Sequence, residues 1–314
     1  MRAPMKIRTA SSMLAAAALA VATLSCSSNF EAQSQITKLR VLGVQAEPAE
    51  LILQLGSPLP ATTLTALAIE PSGALITTVF SLCEQQGVLP AGNLACPGTA
   101  SVQLPDAGPL SATLDLANPA IANLASSLAQ GFDGGSADAG IAALLEQGFP
   151  ILVGFTADAP ADGNPDGGPP ATAGYPDQHL TGFTDVTLRL ANAARPINHN
   201  PSLAGINVDQ QLLAADGTSV LHAGIDVALD PVPASDAKET LADGGVETLN
   251  YSFYTTGGTI SSLRSTDTTA TGQPSDIGIT YSTPKTPGPV RFWIVIRDGR
   301  GGVGWIERDF TIAE

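Results

Sequence analysis

The feature that most constrains this chain is the brevity of its apolar runs. From residue 39 to the end, short β-branched or alternating stretches are each cut off by proline, glycine or aspartate. An amphipathic helix needs apolar residues recurring at i, i+3, i+4 and i+7 over a longer window; these runs instead match strands bounded by turn residues. One series lies at 39–44, 63–69, 76–83, 151–156 and 185–190, and a second at 203–208, 225–229, 248–255, 276–282, 290–297 and 305–312. Many short strands separated by turn signals predict an all-β fold, here two β-sandwiches in tandem.

The break between the series falls at 194–201, where Asn198-His199-Asn200-Pro201 reads as a turn-rich linker. The expected first domain is therefore 38–194 and the second 195–314. An insertion, 97–148, interrupts the first. Within it Asn118-Pro119 supplies an N-cap followed by proline at the first helical position, and Ile121, Leu124 and Leu128 recur at helical spacing. A second short helix is expected over 141–147, stopped by Gly148. The stretches 133–140 and 159–170 are low-complexity loops.

The last hairpin can be read residue by residue. Val290, Phe292, Ile294 and Ile296 share one strand face; Arg291, Trp293, Val295 and Arg297 share the other. Residues 298–302, Asp-Gly-Arg-Gly-Gly, supply the positive φ of a tight reversal. Ile306, Phe310 and Ile312 return to the core face. Arg308 falls on that same face, which requires either a register shift or a stem that snorkels at the sheet edge. Trp293 and Trp305 fall on the outer face. They read either as an aromatic surface for carbohydrate or as a cross-strand pair stabilising the sheet.

The N-terminus carries an address. Arg2, Lys6 and Arg8 precede an Ala/Leu-rich run from 13 to 24, too short to span a bilayer, and the run meets Leu24-Ser25-Cys26. This resembles a bacterial lipoprotein signal, with 1–25 removed, Cys26 carrying the lipid and 26–37 serving as a flexible tether. Thr23 stands where such signals usually place leucine. Ordinary cleavage after Ala22 is the alternative. The resemblance implies attachment to the membrane through acyl chains (palmitate among them), and Ser27 after the cysteine implies sorting to the outer membrane. If Cys26 takes lipid, Cys83 and Cys96 remain as an even pair in an oxidising compartment, and a disulfide between them would be worth ~3 kcal/mol.

Charge excludes some partners. The full chain has a formal net charge of −15, and removing 1–25 leaves 29 acids against 11 bases. Nucleic-acid binding needs a basic footprint that such a chain lacks, and anionic headgroups would repel it, so the acyl chains must provide the membrane contact.

Family resemblance enters with Tyr251-Ser252-Phe253, Gly257-Gly258, Pro287-Gly288-Pro289-Val290 and Asp298-Gly299-Arg300-Gly301-Gly302, in that order. This series resembles the second half of bacterial Ig-like and PKD-like domains, without the Trp-Asp-Phe-Gly-Asp-Gly core of true PKD domains. The first half, through Glu47-Pro48-Ala49-Glu50, Leu64-Thr65-Ala66-Leu67 and Ser81-Leu82-Cys83, is similar to uncharacterised bacterial lipoproteins. The resemblance implies an Ig-like sandwich at the cell envelope and brings no catalytic residues with it.

Candidate chemistry is sparse. Asp162, Asn164 and Asp166 sit at alternate positions, with Gly167 sixth, like the start of an EF-hand calcium loop; Ala173 occupies the place of the bidentate glutamate and Pro165 interrupts the loop. An acidic loop without metal is the plainer reading. His179, His199 and His222 are not at ligand spacing, and no nucleophile elbow, phosphate loop or dinucleotide fingerprint is present. No metal and no cofactor are expected. The expectation is a non-enzymatic, surface-tethered binding or scaffold module facing an envelope protein or polysaccharide, with 97–148 as its distinctive surface. An enzyme or enzyme-accessory subunit acting on cell-wall or extracellular polysaccharide, and a structural spacer, stay open as alternatives.

Overall fold

The computed structural model describes residues 32–54, 56–83, 101–121, 145–160, 178–191, 195–214, 219–268 and 272–314. Residues 33–314 form one compact unit. It is built almost wholly of strands, and each of the eleven apolar runs overlaps one of them.

The first nine strands make two sheets. β1 (Arg40–Glu47), β3 (Ala61–Ile69), β7 (Ser111–Asp115) and β6 (Asp106–Gly108) lie in that order in one. β2 (Glu50–Leu53), β9 (Gln178–Leu190), β8 (Phe149–Ala159), β4 (Thr77–Cys83) and β5 (Ser101–Gln103) form the other. Leu64 and Leu114 from one sheet meet Leu51, Phe80 and Val153 from the other in a shared core, each of the five at 0 % exposure. The order β1-β3-β7-β6 against β9-β8-β4 is the ABED/GFC arrangement of an immunoglobulin-type sandwich, with β2 added in parallel on β9.

The remaining strands repeat the plan. β11 (Gln211–Ala214), β10 (Leu203–Val208), β13 (Asp226–Pro233), β17 (Ile279–Ser282) and β15 (Thr259–Ile260) form one sheet. β12 (Ser219–His222), β19 (Val303–Ala313), β18 (Gly288–Arg297), β14 (Asn250–Thr255) and β16 (Arg264–Thr266) form its partner. Here β12 lies parallel to β19 as β2 does to β9. Their core is aromatic: Phe292 packs at 5.6 Å from Tyr281 and 6.1 Å from Phe310, both edge-on. Val290, Ile294, Ile296, Ile306 and Ile312 complete it from the last hairpin.

The turn of that hairpin is built by Asp298. Its Oδ1 accepts the N–H groups of Arg300 and Gly302 at 2.7 and 3.0 Å, and Gly299 and Gly301 hold φ of 79° and 107°. Arg308 departs from both expectations. The β18–β19 register runs unbroken and sets Arg308 opposite Phe292, and its side chain is buried rather than snorkelling. Its Nη1 donates to the Glu307 carbonyl.

Three expectations are corrected by packing. Residues 101–116 are not an insertion: β5, β6 and β7 belong to the two sheets, and Ala112 and Leu114 are fully buried. Their alternation, Ala and Leu inward with Ser, Thr and Asp between them, is a half-buried strand pattern hidden among turn residues. Residues 33–37 are not a free tether. Gln35 forms a parallel bridge with Thr255, Ile36 N donates to Thr255 O at 2.8 Å, and Ile36 is 1 % exposed. Third, Trp293 is no surface. It is 0 % exposed, in a third core with Ile36, Leu42, Leu67, Val295 and Val303, where the outer face of the β18 sheet packs on the outer face of the β1 sheet. Trp305 is half-buried beside it.

Helical expectations within 97–148 meet the structure at two points. Pro119 to Ile121 are helical, and Asn118 Oδ1 accepts the Ala120 N–H at 3.0 Å, the N-cap bond. Residues 145–147 are helical and end at Gly148, whose φ is 99°. The segment between them lies outside the described residues.

Candidate functional site

Where the two sheet pairs meet, beside the third core, a cleft of about 700 Å³ opens. One wall is β1 at Val41–Val44; another is β9 at Phe183, Thr184 and Asp185; the 299–302 turn and three arginines, Arg195, Arg297 and Arg300, complete it. A volume of that size is typical of ligand sites.

A bulge shapes the β1 wall. The β1–β3 register shifts between Val41 and Gly43. Val41 and Val44 therefore face the first core while Leu42 turns outward into the third. Gly43 sits where a side chain would press on Val303 at 3.3 Å and on the Arg297 guanidinium at 3.5 Å. The pieces are tied by polar bonds. Gln45 Nε2 donates to Val303 O at 2.6 Å, and Arg297 Nη2 to Leu42 O at 2.6 Å. Asn200 donates to Ala46 O at 2.7 Å and accepts Val303 N at 3.0 Å.

The three arginines differ in how far their charge is met. Arg300 donates to both Glu239 and Glu247; burial opposes its charge, and those two carboxylates outweigh burial and raise its pKa. Arg195 shares one carboxylate with Arg189. Glu50 Oε2 accepts from buried Arg189 at 2.9 Å and from Asn198 N at 3.1 Å, while Arg195 stands 3.8 Å from Glu50 Oε1. Two guanidinium charges thus face one buried acid. Arg297 is bonded to the Leu42 carbonyl and, at 3.5 Å, to Ser252 Oγ, and has no carboxylate partner among the described residues. Burial lowers its pKa, with the Tyr254 hydroxyl opposing and Arg264 adding to the shift; it remains charged at neutral pH. The acid among the lining residues is exposed Asp185.

The residues singled out in the sequence do not converge here. Cys83 ends β4 and is fully buried, while Cys26, Cys96, Asp162, Asn164 and Asp166 lie outside the described residues. His179 pairs with Asp158 at 2.6 Å, His199 with Glu239 at 2.7 Å, and His222 with the Glu314 carbonyl at 3.0 Å, at three separate places. Among the described residues there is no group of three metal-ligating side chains, and no helix long and apolar enough to cross a membrane. The cleft itself was not foreseen. Arg297 and Arg300 were legible as parts of a hairpin, but nothing local in the sequence signals that β1, more than 250 residues earlier, closes over them.

No family model matches the chain, and no curated protein does. Solved structures overlap it loosely. The fibronectin(III)-like modules of Clostridium thermocellum CbhA are 7% identical, with 86% of this chain and 94% of that one covered at a TM-score of 0.20. The Ig1-2 module of the Drosophila receptor protein tyrosine phosphatase DLAR is 9% identical, with 88% and 100% covered at 0.25. A nucleoside hydrolase-related hypothetical protein from Saccharophagus degradans, associated with carbohydrate metabolism, is 18% identical at 0.26. The match covers 39% of this chain and 27% of that protein's length. The strand order itself defines the Ig-type fold.

Proposed function

We propose that the chain is a lipid-anchored, non-enzymatic binding module of the cell envelope. In this reading it comprises two tandem Ig-like sandwiches joined rigidly, with the inter-sandwich cleft as its binding site. The observation that carries it is the cleft: an arginine-lined concavity in a strongly acidic protein, walled by both sheet pairs and held by the third core. Neither pair could present it alone. The lipid reading comes from Leu24-Ser25-Cys26, and the docked segment at 33–36 adds to it. Six residues, 27–32, separate Cys26 from the first docked position, a leash of roughly 20 Å when extended. A Cys83–Cys96 disulfide, with Cys83 buried at the end of β4, belongs to the same proposal.

Two measurements test it. Intact-mass analysis of membrane-extracted protein is expected to show a chain beginning at an acylated Cys26; an unmodified start near residue 23 would remove the anchor. Cross-linked pull-down from envelopes is expected to recover a partner with the native chain and lose it when the cleft is blocked at Thr184→Trp. Turnover of a wall polysaccharide by the purified chain would favour the enzyme reading instead.

A further inference from the structure

We infer that the cleft takes an extended peptide ending in a carboxylate, which adds to the free edge of β1 and places its terminal charge on Arg297. The inference rests on the binding-module reading above and names the ligand chemistry. β1 is the outermost strand of its sheet, and its open side lines the cleft. Backbone pairing fixes which groups it offers there. Ala66 N donates away from β1, to Leu110 O at 2.8 Å, so Val44, its register partner, stands in a non-hydrogen-bonded pair and turns its own N–H and C=O to the open edge. The same parity sends Ala46 O outward, where Asn200 meets it. Among the described residues no hydrogen bond is made to Val44 on this side, and such an edge is a template for a further strand.

Arg297 closes the edge at one end. By taking Leu42 O it stops a ladder from extending past Val44 in that direction. A peptide paired at Val44 therefore ends beside a half-buried guanidinium without an acidic partner among the described residues, with Arg195, which shares Glu50 and donates to the Gln147 carbonyl, on the same cleft. A C-terminal carboxylate satisfies both features at once: it ends the strand and supplies the missing charge. Bidentate pairing of a carboxylate with arginine gives the strength and the directionality. An acidic polysaccharide would use the charge but not the strand edge, and the tryptophan that could have served as a sugar platform, Trp293, is buried.

The test uses the mature full chain, immobilised, and two synthetic pools of random hexapeptides that differ only in ending as a free acid or a carboxamide. Retention of the free-acid pool at least tenfold above the amide pool is expected, with Arg297→Gln abolishing the difference. Because Arg297 is partly structural, Arg195→Gln is run in parallel; it is expected to weaken retention severalfold while thermal unfolding stays within a few degrees of wild type. With a retained peptide, the Val44 amide and the Arg297 Nε–H are expected to shift in ¹⁵N spectra. Equal retention of both pools, retention of neither, or shifts confined to other surfaces overturns the inference. So does an Arg297-dependent preference for oligogalacturonate over the peptides. If an envelope partner is still captured by Arg297→Gln, the binding-module reading survives and the peptide assignment alone fails.

Discussion

Replacing Trp293 with alanine tests whether the two sheet pairs are joined by their third core. The indole is 0 % exposed and packs with Ile36, Leu42, Leu67, Val295 and Val303. Burying a tryptophan removes ~150–250 Å² from water, ~4–6 kcal/mol gross at ~25 cal/mol per Å². Its Nε1 has no hydrogen-bond partner among the described residues, a buried donor that itself costs ~1–3 kcal/mol. The alanine variant is therefore expected to lose about 3 kcal/mol, toward the low end for tryptophan truncations. With a urea dependence of ~2–3 kcal/mol per M, the midpoint falls by about 1 M. Because the lost contacts bridge the sheet pairs, circular dichroism should also resolve two transitions where the native chain shows one. Trp293→Phe keeps one aromatic ring and discards the orphan donor, and should cost clearly less than the alanine variant. A midpoint shift below ~0.3 M with a single transition in Trp293→Ala would refute the coupling.

Other expectations follow from buried charge, close packing and titration. Glu50→Gln leaves Arg189, 1 % exposed, without its counter-charge and should cost ~3–5 kcal/mol in calorimetry; an unchanged unfolding temperature would contradict the ion pair's place in the fold. Gly304→Ala would bring a Cβ to 2.0 Å from the Pro201 carbonyl, and overpacking there should cost ~1–3 kcal/mol in urea unfolding. Burial raises the pKa of Glu239, but its bonds to His199 and Arg300 prevail and hold it below the ordinary value. Its stabilisation is therefore present above the unfolded-state pKa and lost as pH falls through the folded one, so Glu239→Gln should flatten the acid limb of the stability profile. Burial raises the Tyr281 phenol to about 12, against the opposing Thr255 bond. That contribution is intact below pH 10 and lost as pH rises toward 12, and Tyr281→Phe should remove this alkaline slope in pH-resolved denaturation.

What the sequence revealed was periodicity. The core face of β18, at Val290, Phe292, Ile294 and Ile296, was legible because alternation and burial coincide there. β7 carries the same alternation, yet Pro105, Asp106, Gly108 and Pro109 around it read as loop, and its partner β3 lies some fifty residues away. Trp293 misled because alternation distinguishes the two faces of a strand but does not say whether the second face meets water. Here it meets another sheet. Ile36 was hidden for a related reason: a lone apolar residue in a polar stretch has no period, and only the surface that receives it gives it a place. The arginine cleft depends on side chains contributed by residues 195, 297 and 300 and on an edge strand at 41–44, an assembly that local patterning cannot encode.

The most direct test is photo-cross-linking in intact envelopes with benzoylphenylalanine at exposed Asp185, on the β9 rim of the cleft. A discrete protein adduct is expected at this position, fading when Arg297 is replaced by glutamine. Absence of an adduct at Asp185, or an adduct of equal yield from a probe at exposed Leu212 on the β11 edge, would contradict it.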